Sequence, residues 1–151
     1  MSATATDTLS LLLERAEGER DGAARALHTA CAQAEAARVQ HGELAGYRQE
    51  YQQRWTQSFS QGTTMSLVGC YQSFGQRLNQ AVEAQGHVAV HADQRQQRAR
   101  EALRQAELRV AALRQLIARR RAEADKQAQR REQRATDEFA ARAHLRRTAH
   151  A

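Results

Sequence analysis

Ser60-Gln61-Gly62-Thr63-Thr64 is the one break in an otherwise continuous helical pattern, and its reading decides the fold. Gly62 supplies the unrestricted dihedrals of a turn, and the neighbouring hydroxyls can cap a following helix. Everything before and after reads as helix. The sequence predicts helix one over about 5–59, the turn over about 60–64 and helix two over about 65–147, in one coiled-coil domain, 1–151. The composition supports such lengths. Proline is absent from the 151 residues, aromatics are 5%, and Ala, Arg, Gln and Glu dominate. These side chains lose little rotamer freedom in a helix. A mean hydropathy of −0.79 leaves material for a narrow buried seam rather than a thick core.

Outward from the turn, each segment carries a heptad. In the first, positions 9, 16, 23, 30, 37, 44 and 51 are Leu, Ala, Ala, Ala, Ala, Leu and Tyr. The companion series at 13, 27, 34 and 55 is Leu, Leu, Ala and Trp, with polar lapses at Arg20, His41 and Arg48. In the second, positions 78, 85, 92, 99, 106 and 113 are Leu, Gln, Ala, Ala, Ala and Leu. Positions 82, 89, 96, 103, 110 and 117 are Val, Ala, Gln, Leu, Val and Ile. Apolar residues alternating 3 and 4 apart make one stripe per helix, the coiled-coil signature. A turn at Gly62 makes the helices antiparallel, so facing positions sum to roughly 126. Leu9 then faces Ile117, Ala23 faces Leu103, and Trp55 faces Tyr71. The fold class is all-α: a long two-stranded antiparallel coiled-coil hairpin with an overhanging C-terminal helix. At ~1.5 Å per residue the helices would run roughly 80 and roughly 120 Å. The overhang of about 25 residues, near Arg120 to Arg147, is highly charged and alone a marginal helix, to be ordered by a partner.

Six of the seven aromatics lie between residues 47 and 74. Tyr47, Tyr51, Trp55 and Phe59 form a ridge on helix one, met by Tyr71 and Phe74 from the other side. A register-fixing hydrophobic clasp is the reading for Tyr51, Trp55 and Tyr71. Phe59 and Phe74 are either part of it or exposed anchors for a partner. Gly75, opposite Tyr51, would leave room for that ring.

The charge is uneven. Residues 1–63 carry 6 Lys/Arg against 8 Asp/Glu, and residues 64–151 carry 17 against 9. The second half therefore suits an acidic partner. Nucleic acid is disfavoured, because the arginines lie within and beyond the seam and Asn79 is the only Asn. No stretch reaches the ~20 apolar residues of a membrane span, and the N-terminus lacks a signal-peptide pattern, so a cytoplasmic location is expected. Cys31 falls opposite Arg95, far from Cys70, which predicts two free thiols. His87 and His91 sit one turn apart without a third ligand, and read as surface histidines. No phosphate loop, nucleophile–base set or paired carboxylates can be assembled, so neither catalysis nor a cofactor or metal is expected. A generic structural scaffold, as a homodimer or spacer, is the alternative to a rod that presents its surface to larger protein partners. A basic binder of nucleic acid or anionic membrane comes third.

An ordered set of residues resembles one family. Tyr47-x2-Glu50-Tyr51, Gly62, Tyr71-Gln72-x-Phe74-x3-Leu78-x2-Ala81-x3-Gln85 and Asp137-Glu138-Phe139-Ala140-x-Arg142 together resemble the FliJ family of flagellar type III export proteins. The stalk proteins of virulence type III secretion are similar. The resemblance implies a stalk-like cytoplasmic part of the export apparatus, required for flagellum assembly and motility. It implies binding to the hexameric export ATPase, to the cytoplasmic domain of the export gate protein and to export chaperones. Membrane association would then be peripheral, at the inner membrane and through partners, with a monomer when free. By resemblance the gate contact falls on Phe74, Leu78, Ala81 and Gln85, and the ATPase-ring contact on Leu12, Leu13, Asp137, Glu138, Phe139 and Arg142. Gly75 stands where the family carries a larger apolar residue, and Val68 where it often has Trp. The seam places Leu78 and Gln85 inside the hairpin, with Phe74 and Ala81 at its edge.

Overall fold

Gly62 adopts a φ of 90°, the left-handed conformation that lets a helix end and the chain reverse without steric cost. In the computed structural model, which describes residues 2–151, this glycine separates helix α1 (Ser2–Ser60) from helix α2 (Met65–Ala149). Two tightened bonds close α1: Gln61 N donates to Ser58 O and Gly62 N to Phe59 O, both at 3.2 Å. Thr64 opens α2. Its Oγ1 accepts from Leu67 N at 3.4 Å, the geometry of an N-cap, while its carbonyl accepts from Val68 N at 3.2 Å. The two helices pack on each other and no strand occurs among the described residues, so the chain is an α-helical hairpin.

The burial pattern follows the heptads. Every position of both series on α2, from Leu78 to Ile117, is buried or half-buried, as are Leu9 to Trp55 on α1, with Arg20, His41 and Arg48 half-buried. Contacts divide the chain into two units, residues 20–105 and residues 1–19 with 106–151.

In the unit of residues 20–105, Ala34, Ala37 and Ala92 form the buried cluster, with Ala89 packed against it. Methyl side chains let two backbones approach closely, at the expense of apolar area: each contributes well under the ~1.5–3 kcal/mol of a buried Leu or Val. Polar groups punctuate the seam. Gln96, 8% exposed, donates its Nε2 to Cys31 Sγ at 3.2 Å. Gln85 Nε2 reaches Ala37 O at 3.5 Å and Gln40 Oε1 at 3.1 Å. Cys31 thus meets Gln96, one residue from the expected Arg95, and both cysteines are free.

In the other unit, Ala16, Ala106, Val110 and Ile117 are buried. Two cross-helix ion pairs flank them, Arg114 Nη2 to Glu17 Oε1 at 3.0 Å and Arg109 Nη1 to Glu19 Oε2 at 3.6 Å. Both are exposed, so each contributes about 0–1 kcal/mol. Past Ile117 every side chain is exposed except Ala143, which is half-buried. The tail expected to be marginal is nonetheless helical through Ala149. No glycine or proline follows Gly86, and the residues there are strong helix formers.

Candidate docking surfaces

The rings flanking the turn pack as a continuous ladder. Tyr51 stacks on Tyr71 at 5.3 Å and meets Phe74 at 4.8 Å and Trp55 at 6.1 Å. Tyr71 also contacts Trp55 at 5.1 Å and Phe59 at 5.2 Å. The Tyr51 hydroxyl donates to Tyr71 O at 3.5 Å, and burial pushes its phenol above the ordinary value. Phe59 belongs to this ladder. Phe74 does both jobs: it touches Tyr51 yet is 42% exposed.

Gly75 corrects one expectation. The Tyr51 ring does not fill the space beside it, because that ring turns toward Tyr71 and Phe74, which gain it more contact. A Cβ added at Gly75 would meet nothing within 4 Å. The space remains a groove of about 370 Å³, lined among others by Arg48, Tyr51, Tyr71, Gly75, Leu78 and Asn79.

The four gate-stripe residues separate by depth. Phe74 and Ala81 reach the surface, Leu78 is 6% exposed beneath them, and Gln85 is half-buried and tied to α1. Exposed Tyr47, Met65 and Leu67 add apolar surface that the resemblance did not single out. For Met65 and Leu67 the available signal was their place in the first turn of α2, ahead of the heptad run.

The six ATPase-stripe residues do not form one site. Leu12 is exposed and lines a groove of about 350 Å³ with Arg15, Ala16, Glu19, Arg109 and Leu113, while Leu13 is half-buried in the seam. Asp137, Glu138, Phe139 and Arg142 lie on the uncovered tail, and Phe139 is 77% exposed. Between Leu113 and Asp137, α2 advances roughly 36 Å at ~1.5 Å per residue. Leu11 and Leu145 are further exposed apolar residues of this unit.

The surface electrostatics are mostly local. Glu101 accepts from Arg104 Nη2 at 2.7 Å and Gln105 Nε2 at 3.1 Å, and these donors, Arg104 first, hold its carboxyl down to about 2. Arg104 is raised in return. Among the described residues, no group of three or more His, Cys, Asp or Glu could hold a metal ion, and no helix is long and apolar enough to cross a membrane. The grooves among the described residues are open to solvent along the hairpin and the tail.

Comparison with known proteins agrees with the residue pattern. A family model described as flagellar FliJ protein matches residues 6–149. No curated protein and no solved structure matches the chain. A match over nearly the whole hairpin, from the first turns of α1 to the end of the α2 tail, means that this chain belongs to the FliJ family of flagellar proteins.

Proposed function

We propose that this chain couples the hexameric export ATPase to the cytoplasmic domain of the export gate, and meets export chaperones as it does so. Family membership makes it a component of the flagellar protein export apparatus, of a non-enzymatic kind. The observation that carries the finer reading is that each unit exposes its own aromatic anchor on a helix. Phe74 stands in residues 20–105, and Phe139 in the unit holding the α2 tail. A large exposed ring on a soluble surface is a common anchor of protein contacts.

In this reading Phe74 and Ala81 make the gate contact. Leu78 supports them from below, and Gln85 orients the stripe through its bonds to Ala37 and Gln40. Leu12 with Leu13, and Phe139 with Asp137, Glu138 and Arg142, make two ATPase contacts rather than one. The chain acts as a single coiled-coil domain, monomeric when free, in the cytoplasm and at the inner membrane only through its partners.

The test is a pull-down in two arms. Phe74→Ala should lose the gate's cytoplasmic domain while keeping the ATPase. A chain ending at Arg121 should do the reverse and lose stimulation of ATP hydrolysis. Loss of both partners in either arm, or unchanged hydrolysis with the intact chain, would overturn the assignment.

A further inference from the structure

We propose that the face of α2 continuing the seam beyond Ile117 is a docking strip for an acidic helix of another protein, which there takes the place that α1 holds along residues 106–117. The strip shares Glu138 with the ATPase contact proposed above and otherwise uses other residues, so its test reads peptide binding and not ATP hydrolysis.

Counting on from Ile117 at the seam's own spacing of 3 and 4 gives Arg120, Ala124, Gln127, Arg131, Arg134, Glu138, Ala141 and Leu145. Two flanking positions carry arginine again, with Leu116 and Glu123 intervening between Arg109 and Arg130. Arg121 comes one heptad after Arg114, and Arg130 three heptads after Arg109. Those two earlier arginines are the ones that α1 meets with carboxylates, through Glu17 and Glu19. The strip therefore keeps coiled-coil geometry but has arginine where the seam has aliphatic side chains.

Coverage by α1 stops at the head of the strip. Ala5, Thr6 and Asp7 share a groove of about 600 Å³ with Arg120, Arg121, Glu123 and Gln127. The next groove, about 330 Å³, is lined by Gln127, Arg130, Arg131 and Arg134 alone. Among the described residues, no arginine beyond Arg114 lies within ion-pair distance of a carboxylate. From Ala118 onward there are ten Arg or Lys against five acids.

Charge then selects the occupant. Arg130 and Arg134 are like charges one turn apart, which weakens an isolated helix. Covering them without carboxylates would add the penalty of buried unpaired charge. Geometry selects a helix over a nucleic acid. Ala124 and Ala141 let a second backbone approach, as the small seam residues of the hairpin itself do. Glu138, within the strip, asks for one basic residue near the end of the partner helix.

The probe is a labelled synthetic helical peptide with Leu and Ala on its seam and Glu opposite Arg130, Arg131 and Arg134. It is titrated against the full chain at moderate salt. Arg131→Glu with Arg134→Glu should weaken binding at least tenfold, and a charge-swapped Lys peptide should restore it. Arg119→Glu with Lys126→Glu makes the same net charge change at outward positions and should stay within threefold of the unaltered chain. Helicity by circular dichroism should be equal in all three proteins. Equal losses in the two double variants would overturn the proposal. So would competition by duplex DNA at matched charge concentration, which would mark a general polyanion surface.

Discussion

Three glycines, one in the turn and two within α2, make different demands on a methyl group. Gly62→Ala places a Cβ on a backbone with φ of 90° and should destabilise the chain by about 1 kcal/mol. Gly75→Ala meets open space inside a helix and should stabilise by about 1 kcal/mol through backbone entropy alone. At Gly86 the new Cβ would sit 3.2 Å from His41 Nε2, so the imidazole must shift and the same gain should largely vanish. Urea denaturation of the three variants checks the order Gly75→Ala, Gly86→Ala, Gly62→Ala, from most to least stable. Glu101 carries a separate expectation. Its folded-state pKa is depressed, so its contribution to stability is present above about 4.5 and lost as pH falls toward about 2. Carboxyl NMR titration should find Glu101 among the last acids to protonate, and Arg104→Ala should return it toward 4.5.

Each helix is held by a stripe of small residues interrupted by polar ones, and the interruptions govern register. Ala34, Ala37, Ala89 and Ala92 would pack comparably if one helix slid by a heptad, whereas the contact of Gln96 with Cys31 is specific to one alignment. A buried polar residue at a seam position trades stability for register. Gln96→Leu should therefore raise the midpoint of urea denaturation by an amount worth about 1 kcal/mol, at the cost of a less uniquely aligned hairpin. The cap at Thr64 works on the same element. Losing the hydroxyl that accepts from Leu67 N should cost about 1 kcal/mol in Thr64→Ala, with helicity by circular dichroism little changed.

The chain as a whole is one polypeptide folded back on itself, and this separates it from a coiled coil built by two chains. With Cys31 and Cys70 replaced by Ser, Ala34→Cys with Ala92→Cys should oxidise to an intrachain disulfide. The product should migrate and sediment as a monomer of 16.9 kDa at every concentration tried. Disulfides found only between chains would remove the basis of both docking readings, since each assumes that α1 covers the α2 seam of its own molecule.

Periodicity set the two stripes and Gly62 the reversal between them, because a 3-and-4 apolar spacing on both sides of one glycine is buried when the second helix folds back on the first. The facing positions near a sum of 126, the half-buried lapses at Arg20, His41 and Arg48, and the free cysteines all follow from that arithmetic. Depth and direction did not follow. Whether Phe74 stays partly exposed while touching Tyr51, and whether Gly75 leaves a groove or a filled seat, depends on how several rings share one space. No pairwise spacing encodes that choice. The residues proposed for docking came from the family resemblance, yet only the folded chain separates Leu12 from Phe139 and sinks Leu78 beneath Phe74. The reason is that a heptad reports which face of a helix is covered, whereas exposure depends on where the covering helix ends.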